Sequence, residues 1–174
     1  MMEMCLLLAW GFLCAFSGGD VDPVETSGEL QVIVEANKSM YPLEDDIVLN
    51  VKLKNVGSED IVVFGRLVWG VSGGFGIITR DAYGEVVAAR VLDSGRLLPS
   101  WVEDERNFVT LHRGHFLGST RRLKVSDLVG SPGRYRLSVI YRCPVPSSYA
   151  DVPNLWGPDQ PFVKSNDIEF MVVE

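Results

Sequence analysis

Asp46–Asn55 reads DIVLNVKLKN, and it decides the fold. Ile47, Leu49, Val51 and Leu53 fall on one face, with Asn50, Lys52 and Lys54 on the other. Successive side chains of a strand point to opposite faces, so a period of two marks a half-buried β-strand. The same period recurs in both directions along the chain. Leu30–Glu35 (LQVIVE) sets Leu30, Val32 and Val34 together. Arg134–Arg142 (RYRLSVIYR) sets Tyr135, Leu137, Val139 and Tyr141 against Arg134, Arg136, Ser138 and Arg142, with Ile140 the one exception. Asp167–Glu174 (DIEFMVVE) sets Ile168, Phe170 and Val172 together. Asp60–Phe64 is a short continuous apolar run, the pattern of a strand covered on both faces.

Turn residues separate these runs. Asn55-Val56-Gly57-Ser58 stands at hairpin distance between two of them. Phe75–Asp81 and Glu85–Val91 flank Ala82-Tyr83-Gly84, a short loop ending in glycine that predicts a hairpin with a bulge. Phe108–Leu111 and Arg121–Val125 flank a turn at Arg113-Gly114, and Ser131-Pro132-Gly133 precedes the strand at Tyr135. About nine short strands, no sustained helical period and turns rich in Gly and Pro predict an all-β antiparallel sandwich. Three long loops interrupt it: Gly65–Gly76, Leu92–Asn107 and Pro144–Pro161. Long loops are uncommon in compact domains and often carry function.

The chain has 174 residues, 47% of them apolar and 22% charged, in the range of a single globular domain. Its 23 acidic residues exceed its 16 basic ones, a net charge of −7. That balance argues against a nucleic-acid surface, which needs clustered cations. No apolar run reaches the roughly 20 residues that span a bilayer. Cys5–Phe16 (CLLLAWGFLCAF) fits the apolar stretch of a secretory signal, and Ala15-Phe16-Ser17 supplies small residues for cleavage before Gly18. The expected organisation is a signal peptide over 1–17, a flexible segment over 18–28 and one domain over 29–174, located outside the cytoplasm. Of three cysteines, only Cys143 lies outside the leader, so the domain holds no internal disulfide.

Tyr41–Val63 (YPLEDDIVLNVKLKNVGSEDIVV) resembles the opening of bacterial extracytoplasmic immunoglobulin-like domains, where a strand ending in N-x-G precedes a short apolar strand. Phe108–Tyr141 resembles their last strands, with Asp127-Leu128 followed by Pro132-Gly133-Arg134-Tyr135. The resemblance implies an immunoglobulin-like β-sandwich. It also implies a tyrosine corner, in which the Tyr135 hydroxyl returns to the preceding loop backbone. Leu137 stands where an antibody-type domain has its second cysteine. Similar patterns occur in accessory domains of secreted metallopeptidases and in small proteinase inhibitors, so the resemblance implies a fold and transfers no activity.

Residues that could carry chemistry are few. His112 and His115 form an H-x-x-H pair, and imidazole is a common zinc or copper ligand. Arg113 and Gly114 between them indicate a turn, and the arginine would repel a cation. No G-x-S-x-G or completed phosphate loop occurs. Arg142 adjoins Cys143, but neighbouring strand residues point apart, so the thiol reads as packed. Asp45-Asp46 and Glu103-Asp104-Glu105 lack EF-hand spacing and read as solvated loop charge. Trp69, Trp101, Tyr149 and Trp156 all lie in the long loops, where aromatics either bind a partner or pack over the open ends of the sandwich.

The reading that follows is a non-catalytic secreted or periplasmic binding or structural module with no cofactor. It would act through its loops on another protein or an envelope component, without nucleic acid and without a membrane span. A second reading is a protease inhibitor that uses Leu92–Asn107, with Arg96, as its inserting loop. A third is a metal-dependent enzyme built on His112 and His115.

Overall fold

The structure, a computed structural model, describes residues 29–69, 74–90, 103–149 and 152–174. Among these, eleven strands form: β1 (Leu30–Ala36), β2 (Met40–Pro42), β3 (Asp46–Asn55), β4 (Ile61–Phe64), β5 (Phe75–Asp81), β6 (Val86–Arg90), β7 (Phe108–Leu111), β8 (Phe116–Lys124), β9 (Gly133–Tyr141), β10 (Val163–Lys164) and β11 (Ile168–Val173). One sheet has the order β1-β3-β8 and another β2-β11-β9-β5-β6, with β10 also paired to β9. The pair β4-β7 stands apart. All ladders are antiparallel except β11 with β2. The protein is an all-β sandwich of largely antiparallel sheets, as the alternating runs predict.

The alternation sorts the core directly. Val32 and Val34 of β1, Ile47, Leu49, Val51 and Leu53 of β3, Leu137 and Val139 of β9, and Phe170 and Val172 of β11 all belong to one buried cluster. Leu49, Leu53 and Leu137 are wholly inaccessible to solvent. Truncating such a residue to alanine costs about 2–5 kcal/mol, because the cavity left behind adds to the lost transfer free energy.

Two connections differ from their expected form. Asn55–Ser58 is not a hairpin turn, because β3 pairs with β8 and β4 pairs with β7. The registers show why. The β3–β8 ladder ends at Lys54↔Phe116, and the next ladder starts at Ile61↔Leu111. The two ladders are one antiparallel ribbon, interrupted where residues 55–60 face residues 112–115. The interruption is held by Asn55, which is fully buried. Its Nδ2 donates to Glu59 O at 2.8 Å and to Leu111 O at 2.7 Å, and its Oδ1 accepts from Gly57 N at 2.9 Å. Its backbone N donates to His115 O at 3.0 Å, and its O accepts from Gly114 N at 2.9 Å. Gly114 has φ +78, a conformation that favours glycine.

The strand count also exceeds the expected nine. The additions are β2 and β10, which are too short to show a period. β8 begins at Phe116, ahead of the expected Arg121. Phe116–Thr120 (FLGST) has no alternation of its own, so its register is imposed by β3. The β5–β6 hairpin does carry the predicted irregularity, a register shift between Thr79 and Arg80. Asp81 closes its turn by accepting from Tyr83 N and Glu85 N, both at 2.9 Å.

Tyr135 forms the corner that the resemblance implied: its hydroxyl donates to Ser131 O at 2.8 Å. The Tyr141 hydroxyl is buried and has no hydrogen-bond partner among the described residues. The two tyrosines on one strand therefore predict opposite outcomes. Tyr135→Phe removes a satisfied bond and is expected to lower unfolding free energy by about 1–2 kcal/mol. Tyr141→Phe removes a desolvated hydroxyl and is expected to leave stability within about 1 kcal/mol of the parent, or to raise it. Denaturant titration of both variants checks the contrast.

Candidate functional site

The loop aromatics do not behave as one set. Trp156 is only 4% exposed and belongs to the core cluster. The cause is local. Val62 N donates to Asn154 O and Trp156 N donates to Val62 O, each at 2.8 Å, so the proline-rich segment is stitched to β4 and Trp156 is drawn beneath it. Its role is packing rather than the partner contact expected of a loop aromatic. Trp69 is half-buried, with its ring 4.9 Å from that of Phe75 and Nε1 3.4 Å from Ser119 Oγ. Trp101 lies outside the described residues, and so does the side chain of Tyr149. The greater part of Leu92–Asn107, including Arg96, lies outside them as well.

His112 and His115 sit exposed at the corner of the ribbon, with their rings perpendicular and 5.3 Å apart. His112 Nδ1 lies 2.7 Å from Asp60 Oδ2. Among the described residues, no group of three or more His, Cys, Asp or Glu is placed to hold a metal. Asp45, Asp46 and Asp104 are engaged locally. Asp45 pairs with Lys38 at 2.9 Å, and Asp46 pairs with Lys124 at 2.9 Å and Arg122 at 3.5 Å. Hydrogen bonds from these lysines hold both carboxyls below the usual carboxylate range. Asp104 bonds Arg106 through both the backbone N and the guanidinium.

Cys143 is buried, and burial pushes its thiol up to about 11, against the opposing effects of the Val145 backbone and Arg142. Roughly one molecule in a thousand would carry a thiolate at pH 8. The thiolate is the reactive form. In a Cys5→Ser/Cys14→Ser variant, the Cys143 thiol is therefore expected to react with a disulfide reagent at pH 8 at least about 100-fold more slowly in native than in unfolded protein. Equal rates in the two states would contradict the buried placement.

The outer face of the six-stranded sheet carries a different arrangement. On β9, alternation turns Tyr135 and Leu137 inward and leaves Arg134 and Arg136 outward. Register then sets Arg136 directly opposite Arg80 on one side and Glu169 on the other. Like charges facing across a ladder are destabilising. Here they are separated: Arg136 Nε donates to Glu169 Oε1 at 3.2 Å, and Arg80 turns to donate to Gly84 O at 2.9 Å. In the adjacent row, Arg134 faces Met171, and Met171 faces Met40, which is 54% exposed. A cavity of about 420 Å³ opens here, lined by Met40, Ala82, Arg134, Arg136, Glu169 and Met171 among others. The cavity puts two guanidinium groups beside thioether side chains. It can hold an anionic group on a body with some apolar surface. From sequence, Arg134 and Arg136 read only as a solvated face, because the Arg80–Arg136 juxtaposition exists only once register is known.

No protein-family model matches the sequence, and no curated protein is similar to it. Comparison with solved structures gives matches of low similarity. The CARDB domain of PF1109 from Pyrococcus furiosus is 12% identical with a TM-score of 0.38, covering 83% of this chain and 93% of that domain. The C-terminal domain of wzt is 12% identical with a TM-score of 0.43, covering 84% of this chain and 75% of that one. The β-glucosidase EmGH1 from Erythrobacter marinus is 16% identical with a TM-score of 0.38, covering 83% of this chain. This chain spans 16% of the length of that glucosidase. At these identities and TM-scores the likeness carries no statement about this chain.

Proposed function

We propose that this chain is a non-catalytic, extracytoplasmic binding module that holds an acidic segment of a partner protein on the outer face of its six-stranded sheet. The observation that supports the reading is the cavity bordered by Arg134 and Arg136, with Arg80 opposite Arg136. Three guanidinium groups share this face in a chain whose net charge is −7. Guanidinium groups bind carboxylates in bidentate fashion, which suits Asp and Glu side chains. The Arg136–Glu169 pair is exposed on both sides. Such pairs contribute little, about 0–1 kcal/mol, so a ligand carboxylate can replace Glu169 at small cost. Met40 and Met171 are flexible apolar side chains that adapt to an irregular ligand. The extracytoplasmic placement rests on the signal-like run Cys5–Phe16.

The test is signed. A short poly-glutamate peptide titrated into labelled protein is expected to shift the amide resonances of Met40, Arg134, Arg136 and Met171. Arg134→Glu is expected to weaken binding about tenfold or more, and Glu169→Gln is expected to tighten it. Unchanged affinity in both variants, or shifts confined to other surfaces, would refute the assignment.

A further inference from the structure

Among the described residues, the second sheet ends in an unpaired edge. β8 lies outermost in the order β1-β3-β8, and no strand of the described residues pairs with its far side. Two bonds fix which backbone groups of β8 point away from β3. Asn55 N donates to His115 O, and Asn37 N donates to Val48 O. Bonding alternates along an antiparallel ladder, so odd-numbered residues of β3 bond β8 and even-numbered ones bond β1. With Leu53 opposite Leu117 and Val51 opposite Ser119, the odd-numbered residues of β8 bond inward. The backbone N–H and C=O groups of Phe116, Gly118, Thr120, Arg122 and Lys124 therefore face outward.

Natural edge strands are blunted by proline, bulges or charge along their length. β8 has no proline, and its register with β3 is unbroken over nine residues. Its cations are all at one end. Arg121, Arg122 and Lys124 occupy the second half, while Phe116–Thr120 carries no charge. That asymmetry selects a partner.

We propose that β8 pairs antiparallel with β8 of a second copy, about a twofold axis at Thr120, joining two three-stranded sheets into one. A twofold contact must be self-complementary, and this strand is. Thr120 faces its own counterpart, a favourable cross-strand pair. On the outer face, Arg122 of each copy meets Gly118 of the other, and Lys124 meets Phe116. On the inner face, Arg121 meets Ser119 and Leu123 meets Leu117. Every cation is set against an uncharged residue, and all the outward N–H and C=O groups find partners. Phe116 is 58% exposed and already lies under Lys52 Nζ at 5.9 Å, so a second lysine completes a contact the ring makes within its own chain. A parallel pairing in register would instead set Arg122 beside Arg122. This inference does not depend on the acidic ligand proposed for the other sheet.

Gly118 provides the test. A Cβ there would meet only Val51 O at 3.7 Å and Phe116 Cε2 at 3.9 Å, which is ordinary contact, so larger residues fit within one copy. Sedimentation of the full chain is expected to show a concentration-dependent dimer. Gly118→Arg, which sets Arg against Arg122 twice per dimer, is expected to weaken it at least about fivefold, and Gly118→Glu is expected to strengthen it. Hydrogen exchange should show the amides of Phe116, Gly118, Thr120, Arg122 and Lys124 protected in the dimer and open in dilute protein. A chain that stays monomeric at about millimolar concentration would overturn the proposal. A dimer indifferent to the sign of the charge at Gly118, or one that leaves those amides unprotected, would overturn it equally.

Discussion

Asn55 holds the β-ribbon at the point where it would otherwise come apart. The chain leaves one ladder at Lys54 and joins another at Ile61, and the opposing chain does the same between Leu111 and Phe116. Breaking a ladder inside a protein exposes backbone donors and acceptors away from water, and leaving one unsatisfied costs about 1–3 kcal/mol. Asn is suited to this position because its amide carries both donors and an acceptor on a short arm. Here both donors and the carbonyl oxygen are used, and the residue's own backbone N and O bond across the ribbon. An aspartate would lack the donors, and a leucine would lack both kinds of group.

The corner also places what lies around it. With β4 carried past the end of the β1-β3-β8 sheet, its edge is free to bond Asn154 and Trp156, which draws the proline-rich segment over the core. Trp156 is thereby consumed in packing. The same interruption leaves His112 and Asp60 outside, on a turn where solvent reaches both. Among the described residues, two further surfaces stand out, a sheet face and a sheet edge. The six-stranded sheet presents arginines, and the three-stranded sheet presents β8, its outermost strand among the described residues.

Much of this was legible in the residues. DIVLNVKLKN marks β3 from Asp46 to Asn55, and Phe75–Asp81 and Phe108–Leu111 coincide with β5 and β7. A period of two needs only a local pattern, and these segments have it. The N-x-G motif was visible too, but its meaning was not. Spacing alone reads Asn55–Ser58 as a hairpin, because nothing local reports that β4 has a different partner from β3. β2 and β10 are too short to carry a period. Trp156 looked like a loop aromatic because its burial depends on two long-range backbone bonds. The arginine face was hidden for a related reason: Arg80 and Arg136 are far apart in sequence and meet only through register. What sequence conceals here is pairing, which is non-local by nature.

If Asn55 couples the two ladders, they should open together. Native-state hydrogen exchange on the parent and on Asn55→Leu tests this most directly. In the parent, amides of β3, β4, β7 and β8 are expected to exchange with one common opening free energy. In the variant, those of β4 and β7 are expected to exchange through a separate opening about 2–3 kcal/mol below the global one. Common opening retained across all four strands in the variant would contradict the account.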